Sequence, residues 1–351
     1  MVSHSQEVIR IVEIAVLVPC YNEEAAIAKV VADFRAALPS ATVYVYDNNS
    51  RDKTISRARD AGAVVRSEQR QGKGNVVRRM FADIEADIYV LVDGDDTYDA
   101  GASPRMIAKM VEEGGDLLTA RRIHTEANAY RPGHVMGNRM LTGLTALLFN
   151  VHLSDMLSGY RVFSRRFVKS FPFTAEGFAI ETELTIHAVR LMMPMSELDT
   201  RYKERPVGSV SKLNTWRDGL RILGTIGYLV REERPLLFFA VVSALFAGVA
   251  VLIGAPVVSE YFHTGLVPRL PTAVLATGLM VIAFLSLTCG LILDTVTRGR
   301  WEAKRMAYLA IPGPVSLGGD GAASMPQTVH VEVGSQANRT PAPERRSLHS
   351  S

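Results

Sequence analysis

Cysteine is nearly absent from the 351-residue chain: Cys20 and Cys289 are the only two, one beside an apolar run and one inside another. So distant a pair builds neither a disulfide framework nor a zinc cluster, and the soluble part fits a reducing compartment. An excess of one charge is also missing. With 39 Lys and Arg against 36 Asp and Glu, the net charge of +3 is too even over this length for a chain that coats nucleic-acid phosphates. No repeat recurs at a fixed period. Met1 to Arg10 is polar and lacks the apolar core of a secretory signal, so the N-terminal part is expected to stay in the cytoplasm. The first β-rich run is followed by Pro19-Cys20-Tyr21-Asn22-Glu23-Glu24, not by a G-x-G-x-x-G turn, which removes most of the case for NAD or FAD. Gly72-Lys73-Gly74-Asn75 lacks the upstream glycine and the Ser or Thr of a P-loop, leaving a flexible cationic loop. No Ser or His triad stands out either, and His152 and His187 lie in apolar, helix-like surroundings that read as structural.

What the chain does have is a folding composition, 48% hydrophobic and 21% charged, in a length that allows two or three units. Its apolar residues are concentrated late. Leu236 to Val258 and Leu270 to Leu293 are 23 and 24 residues without a charge. Each makes a helix of roughly 35 Å, enough to cross a hydrocarbon layer of about 30 Å. The link between them carries Arg269 beside Glu260 and His263. Arg217, Arg221, Arg231 and Arg234 precede the pair, and Arg298, Arg300, Lys304 and Arg305 follow it. The positive-inside rule therefore predicts both flanks in the cytoplasm and a multi-pass protein of the inner (plasma) membrane. Trp216, Leu220, Leu223 and Ile226 recur at helical spacing among arginines, the pattern of an interfacial helix. The expected organisation is a cytoplasmic domain over 1–212, a juxtamembrane helix over 213–234, a two-helix hairpin over 235–294, a cytoplasmic segment over 295–311 and a disordered tail over 312–351.

Residues 11 to about 212 alternate β-rich runs with helix-period segments, which predicts an α/β domain on a largely parallel sheet. Strands are expected at Ile14–Val18, Val43–Tyr46, Ala63–Val65 and Ile88–Val92, with helices at Ala25–Leu38, Lys53–Ala61 and around Val76–Ile84. Three strands run into polar loops: Pro19 to Glu24, Asp47 to Asp52 and Asp93 to Asp99. Ligands of open α/β sheets bind beyond the carboxyl ends of the strands, so these loops are expected to converge on one site. Singly, each could be mere turn and cap chemistry. Asp93-Gly94-Asp95-Asp96 crowds carboxylates at a strand end, where a hard divalent cation shared with a diphosphate would relieve their repulsion, pointing to Mg²⁺ or Mn²⁺. Arg121, Arg122, His124, Arg131, His134 and Arg139 crowd a further segment. It reads as a solvated face, or as one near the bilayer that meets anionic headgroups.

Six motifs in order, VLVPCYNEE (16–24), DNNSRDKT (47–54), GKG (72–74), DGDD (93–96), DMLSGYR (155–161) and KERPVGSVSKL (203–213), resemble family 2 glycosyltransferases. Within that family the chain looks like the polyprenyl-phosphate glycosyltransferases of the dolichol-phosphate mannose synthase and GtrB type, over about residues 11–300. The resemblance implies a GT-A (Rossmann-like) nucleotide-sugar-binding fold, a nucleotide-sugar donor, a divalent metal, a polyprenyl phosphate acceptor and a membrane setting, and it is compatible with a homo-oligomer. It implies that Pro19, Tyr21 and Glu23 line a base and ribose pocket with Asp47, that Lys73 and Asp93 reach the nucleotide, and that Asp95 ligates the metal. Arg121, Arg205 and Lys212 would hold phosphate, while Asp155, Ser158 and Arg161 would shape the sugar or acceptor side. The spacing from Arg205 to Lys212 is slightly longer than in the mannose-synthase pattern. The loop chemistry favours a UDP-sugar, glucose or N-acetylglucosamine, with GDP-mannose and a non-catalytic nucleotide-binding scaffold as alternatives. A processive polysaccharide synthase would need a Gln-x-x-Arg-Trp motif, and the chain has Trp216-Arg217 in the opposite order.

Overall fold

The computed structural model describes residues 12–124, 154–172, 180–203 and 230–313, with Gly143 between them. Arg205, Lys212, His152, the stretch 213–229 and the tail from 314 lie outside the described residues.

A seven-stranded sheet forms the centre, in the order β3-β2-β1-β4-β6-β5-β7. Strand β1 (Ile14–Cys20) is buried at every position, as a central strand covered on both faces must be. It pairs in parallel with β2 (Thr42–Asp47) and β4 (Ile88–Leu91), and β2 pairs in parallel with β3 (Val64–Ser67). The other half is mixed. Strand β6 (Arg161–Ser164) runs antiparallel to both β4 and β5 (Leu117–His124), and β5 pairs in parallel with β7 (Met195–Tyr202).

Helices cover the sheet on two sides. Ile27, Val30, Val31 and Phe34 form the buried stripe of α1 (Ile27–Ala37), and Met106, Ile107, Met110 and Val111 that of α4 (Ser103–Glu112); both stripes join one core. Val76, Val77, Met80 and Phe81 of α3 (Lys73–Asp83) pack on the opposite face with α5 (Arg165–Ser170) and α6 (Ile180–Arg190). The short α2 (Thr54–Asp60) closes the edge by β2 and β3. The expected elements appear within a few residues of their predicted bounds. Strands β5, β6 and β7 have no counterpart in the sequence reading; β5 takes up Arg121, which is exposed, and the half-buried Arg122, while Arg131, His134 and Arg139 of the basic segment lie outside the described residues.

Two long helices follow, α7 (Pro235–Thr264) and α8 (Leu270–Leu309). Proline opens α7, and Gly265, at φ +68°, ends it with its N–H on Tyr261 O at 2.8 Å, the left-handed C-cap that glycine fits. Both helices are long and apolar enough to cross a membrane. A core helix would hide its side chains, whereas Leu252 is 75% and Phe262 79% exposed. The second helix does not stop at 294. It runs unbroken to Leu309, so what the sequence assigns to a separate juxtamembrane segment is a continuation of the hairpin.

Candidate functional site

The first two loops are stitched together by side chains standing in for backbone partners. Asn48 N–H donates to Cys20 O at 2.9 Å, Asn22 N–H to Ser50 Oγ at 2.8 Å, Arg51 N–H to Asn22 Oδ1 at 2.8 Å and Glu23 N–H to Thr54 Oγ1 at 2.8 Å. Asn48 extends the network to the third segment. Its Nδ2 donates to the carbonyls of Glu68 and Arg70, and its Oδ1 accepts from Gly72 N–H at 2.7 Å. The turn at Gly72 (φ +127°) is thereby fixed, and Lys73 opens α3 pointing at the end of β4. Asp47 is buried. Its Oδ2 accepts from Ser50 N–H at 3.0 Å, while its Oδ1 has no partner.

Lys73 Nζ lies 2.5 Å from Asp93 Oδ1 and 2.5 Å from Glu181 Oε1 in the first turn of α6. Burial alone would lower the lysine's pKa, but the two carboxylates override it and hold the ammonium well above its usual range. Glu181 shows the converse. Burial opposes its ionisation, yet Lys73 keeps its pKa below the ordinary carboxylate range. Asp93 is pushed up by burial, with Lys73 opposing and with Asp95 and Glu181 adding to the rise. Two carboxylates thus share one ammonium, and Asp95 adds its charge beside Asp93, leaving local negative charge that a divalent cation would balance.

Backbone packing around the third loop is tight. A Cβ on Gly94 would stand 2.6 Å from Cys20 Sγ, and one on Gly159 would stand 2.2 Å from Asp93 Oδ2. The acidic loop is therefore held between the first loop and the turn before β6, as the carboxyl-end convergence requires. Asp95 is buried and accepts from Thr97 Oγ1 at 2.6 Å. Asp96 adopts φ +55° and accepts from Lys29 Nζ at 2.8 Å. The end of β7 is tied in as well: Lys203 N–H donates to Thr97 O at 2.8 Å, and Tyr98 packs edge-on to Tyr202 with ring centroids 5.2 Å apart.

Three expected site residues stand elsewhere. Arg121 pairs with the exposed Asp199 of β7, whereas its neighbour Arg122 forms the bidentate pair with Asp155, at 2.6 and 2.8 Å. Successive strand residues face opposite ways, so only one of the two arginines can turn inward. Arg161 is fully enclosed, donating to Ser158 O at 3.0 Å, Thr185 Oγ1 at 2.9 Å and Met156 O at 2.5 Å, and burial lowers its pKa. Ser158 is likewise enclosed, with its Oγ accepting from Tyr160 N–H at 3.3 Å. These two brace the 155–160 turn against α6 instead of lining a cleft. Pro19, at the end of β1, and Tyr21 and Glu23, in the turn after it, do belong to the first loop of the site. Glu181 is the residue the sequence reading misses; an acid in the first turn of a helix reads as ordinary dipole compensation.

Among the described residues no three His, Cys, Asp or Glu side chains close into a metal cage.

The Glycosyl transferase family 2 model matches residues 15–171, from β1 to the end of α5. The glycosyltransferase AglJ of Haloferax volcanii is 32% identical over 249 residues, 71% of this chain and 81% of that protein. A dolichyl-phosphate hexose transferase of the same organism is 28% identical over 222 residues, 63% of this chain and 96% of that protein. The structure of glucosyl-3-phosphoglycerate synthase from Mycobacterium tuberculosis with Mn²⁺, uridine diphosphate and phosphoglyceric acid superposes with TM-score 0.50 at 23% identity, covering 62% of this chain and 78% of that one. That likeness is one of fold.

Proposed function

The chain belongs to glycosyl transferase family 2, and from this premise we propose that it moves a sugar from a nucleotide-sugar, a UDP-sugar by preference, to the phosphate of a polyprenyl phosphate at the cytoplasmic face of a membrane. The observation that carries the reading is the acidic mouth at the end of β4, with Asp93, Asp95, Glu181 and Lys73, on a chain that continues into two helices of membrane-crossing length. The similarity to a dolichyl-phosphate hexose transferase supports a lipid phosphate as acceptor.

Asp47 supports uridine. With Oδ2 taken by Ser50, the unpartnered Oδ1 suits a base that offers a single imide N–H, as uracil does; guanine offers two adjacent donors and would ask for both oxygens. The acceptor phosphate has a second pKa near 6 and is largely dianionic at neutral pH, so no strong general base is required. One of its oxygens forms a bond to the anomeric carbon while the bond from that carbon to the donor diphosphate breaks. The nucleoside diphosphate leaves with the electron pair, and the configuration inverts. A divalent ion beside Asp95 would neutralise the leaving diphosphate. Lys73 is kept cationic by its two carboxylates, and Lys29 adds a second ammonium on Asp96 of the same acidic loop.

The deciding experiment takes the full chain in detergent with undecaprenyl phosphate, a panel of UDP- and GDP-sugars, and Mg²⁺, Mn²⁺ or chelator. A lipid-linked monosaccharide from UDP-glucose or UDP-N-acetylglucosamine, lost in chelator, is expected. Lipid product from GDP-mannose alone would correct the donor, and no lipid product from any donor would overturn the reading.

A further inference from the structure

The helix beyond the second apolar run supplies none of the residues named at the acidic mouth, yet its side chains are tied into the catalytic domain. Residues 294–309 extend α8 by about 24 Å at 1.5 Å per residue. Near the end, Tyr308 is buried and its hydroxyl donates to Asp116 Oδ2 at 2.8 Å. Asp116, itself fully buried, also accepts from Ser164 Oγ at 2.6 Å and from Arg166 at 2.6 and 3.2 Å, and the Arg166 guanidinium lies 4.3 Å from the centre of the Tyr308 ring. Two turns earlier, Trp301 packs on the core beneath α5 and α6, with the Arg190 guanidinium 5.3 Å from its ring centre. Arg190, in the last turn of α6, also donates to Glu233 Oε2 at 2.8 Å just ahead of α7, and Arg300 pairs with Glu232 at 2.7 Å. The entrance to one long helix and the exit of the other are therefore clamped to the same end of α6. The other end of α6 carries Glu181, in contact with Lys73.

We propose that this continuation of α8 is a brace, with Trp301 and Tyr308 as positioning residues that hold the catalytic mouth at a fixed height and tilt over the bilayer, so that a phosphate confined to the membrane plane meets the donor in line. The inference rests on the lipid-phosphate reading above. A loosely tethered domain would bind a soluble donor equally well but would present its mouth to the bilayer in many orientations, and misplacement of about 1 Å costs on the order of 100-fold in rate. Four donors on one buried carboxylate, and two aromatic rings each faced by an arginine, are what a rigid joint requires and a flexible tether does not.

The test uses the full chain in nanodiscs of phosphatidylethanolamine and phosphatidylglycerol, as parent, Tyr308→Phe and Trp301→Ala. Two acceptors are compared, undecaprenyl phosphate in the bilayer and a short, water-soluble prenyl phosphate. The expected result is a loss of about five-fold or more in kcat/KM for the bilayer acceptor in both variants, with transfer to the soluble acceptor and the KM for the nucleotide-sugar unchanged. Equal losses on both acceptors, or none on either, overturn the brace. If the parent transfers sugar to neither acceptor, the lipid-phosphate reading has failed, and hydrogen exchange then decides the joint. Slow exchange over 164–170 and 301–309 in the parent, speeded by Trp301→Ala, supports it; fast exchange there in the parent overturns it.

Discussion

Asp95 combines burial with a hydroxyl partner, Thr97, that an amide oxygen would also satisfy. Asp95→Asn should therefore keep the fold while weakening a hard cation's hold, since a neutral amide is a poor ligand for Mg²⁺ or Mn²⁺. We expect transfer to fall on the order of 100-fold or more, with thermal stability unchanged. Full activity of this variant in chelator would remove Asp95 from any metal site. The two arginines of β5 make a contrasting pair. Arg122→Ala strands the buried Asp155 carboxylate and should cost about 3–5 kcal/mol of stability, whereas Arg121→Ala breaks only an exposed pair and should leave the unfolding midpoint where it was. Denaturant titration of both in detergent checks this, and the reverse order would refute the facing of β5. The sequence could not tell these neighbours apart. Leu117, Leu118 and Ala120 are all buried, so β5 offers no alternation from which to read which arginine turns inward.

At the scale of elements, β1, β2 and β4 announce themselves through apolar runs that lead into polar or acidic loops, and α1 and α3 through one-sided apolar spacing; these elements place three of the loops around the site. Strands β5, β6 and β7 gave no such signal because polar and charged residues are interleaved with their apolar ones. Strand β6 is entirely buried although it begins with Arg161, whose guanidinium is satisfied by two carbonyls of the turn before it, Ser158 O and Met156 O, and by Thr185 of α6. Helix α6 hides its role in the same way, since Thr182, Thr185 and His187 lie buried on it beside Leu184 and Ile186. His187 sits between Phe167 and Phe171 with Nε2 3.2 Å from Ser170 Oγ, and burial lowers its pKa to about 3. The unfolded chain protonates this ring near its ordinary pKa of about 6.5 while the folded one does not, so its contribution to stability is lost as pH falls below about 6.5 and bottoms out near the folded value. Glu183, one turn away, is raised by burial to about 7 and acts with the opposite sign, losing stability as pH rises from about 4.5 through 7. Comparison of a variant with its parent isolates the histidine. His187→Gln should gain on the parent by about 2–3 kcal/mol between pH 7.5 and 4.5, the linkage of two pH units. A gap between the two proteins that stays constant with pH would show that the ring is protonated inside the fold.

For the molecule as a whole, the question is which side of a membrane each part occupies. The charge-free runs were legible at once, because nothing but length and composition is needed to see them, and the exposed Leu252 and Phe262 argue against burial within a core. What the sequence concealed is the continuity of α8, since Arg298, Arg300, Lys304 and Arg305 look like a loose basic flank when Trp301 and Tyr308 cannot be seen in their sockets. Orientation follows from where cations cluster. The domain ends of the hairpin carry Arg231, Arg234, Arg298 and Arg300, whereas the turn between the helices carries only Arg269, which reaches Glu260 at 3.5 Å. Lysine and arginine near the ends of spans are retained on the cytoplasmic side, so the turn at 265–269 should face outward and the catalytic domain inward. The arrangement has a chemical counterpart, because nucleotide-sugars are cytoplasmic compounds and the acidic mouth must lie where they are. Thr264→Cys, at the end of α7 with Cys289 replaced by Ser, should react with a membrane-impermeant maleimide added outside intact cells; the remaining Cys20 is buried and should not. A cysteine placed at Asp60, at the end of α2 in the catalytic domain, should react only after the cells are opened. Labelling of the Asp60 position in intact cells, with none at Thr264, would reverse the topology and put the domain on the side where its donor is absent.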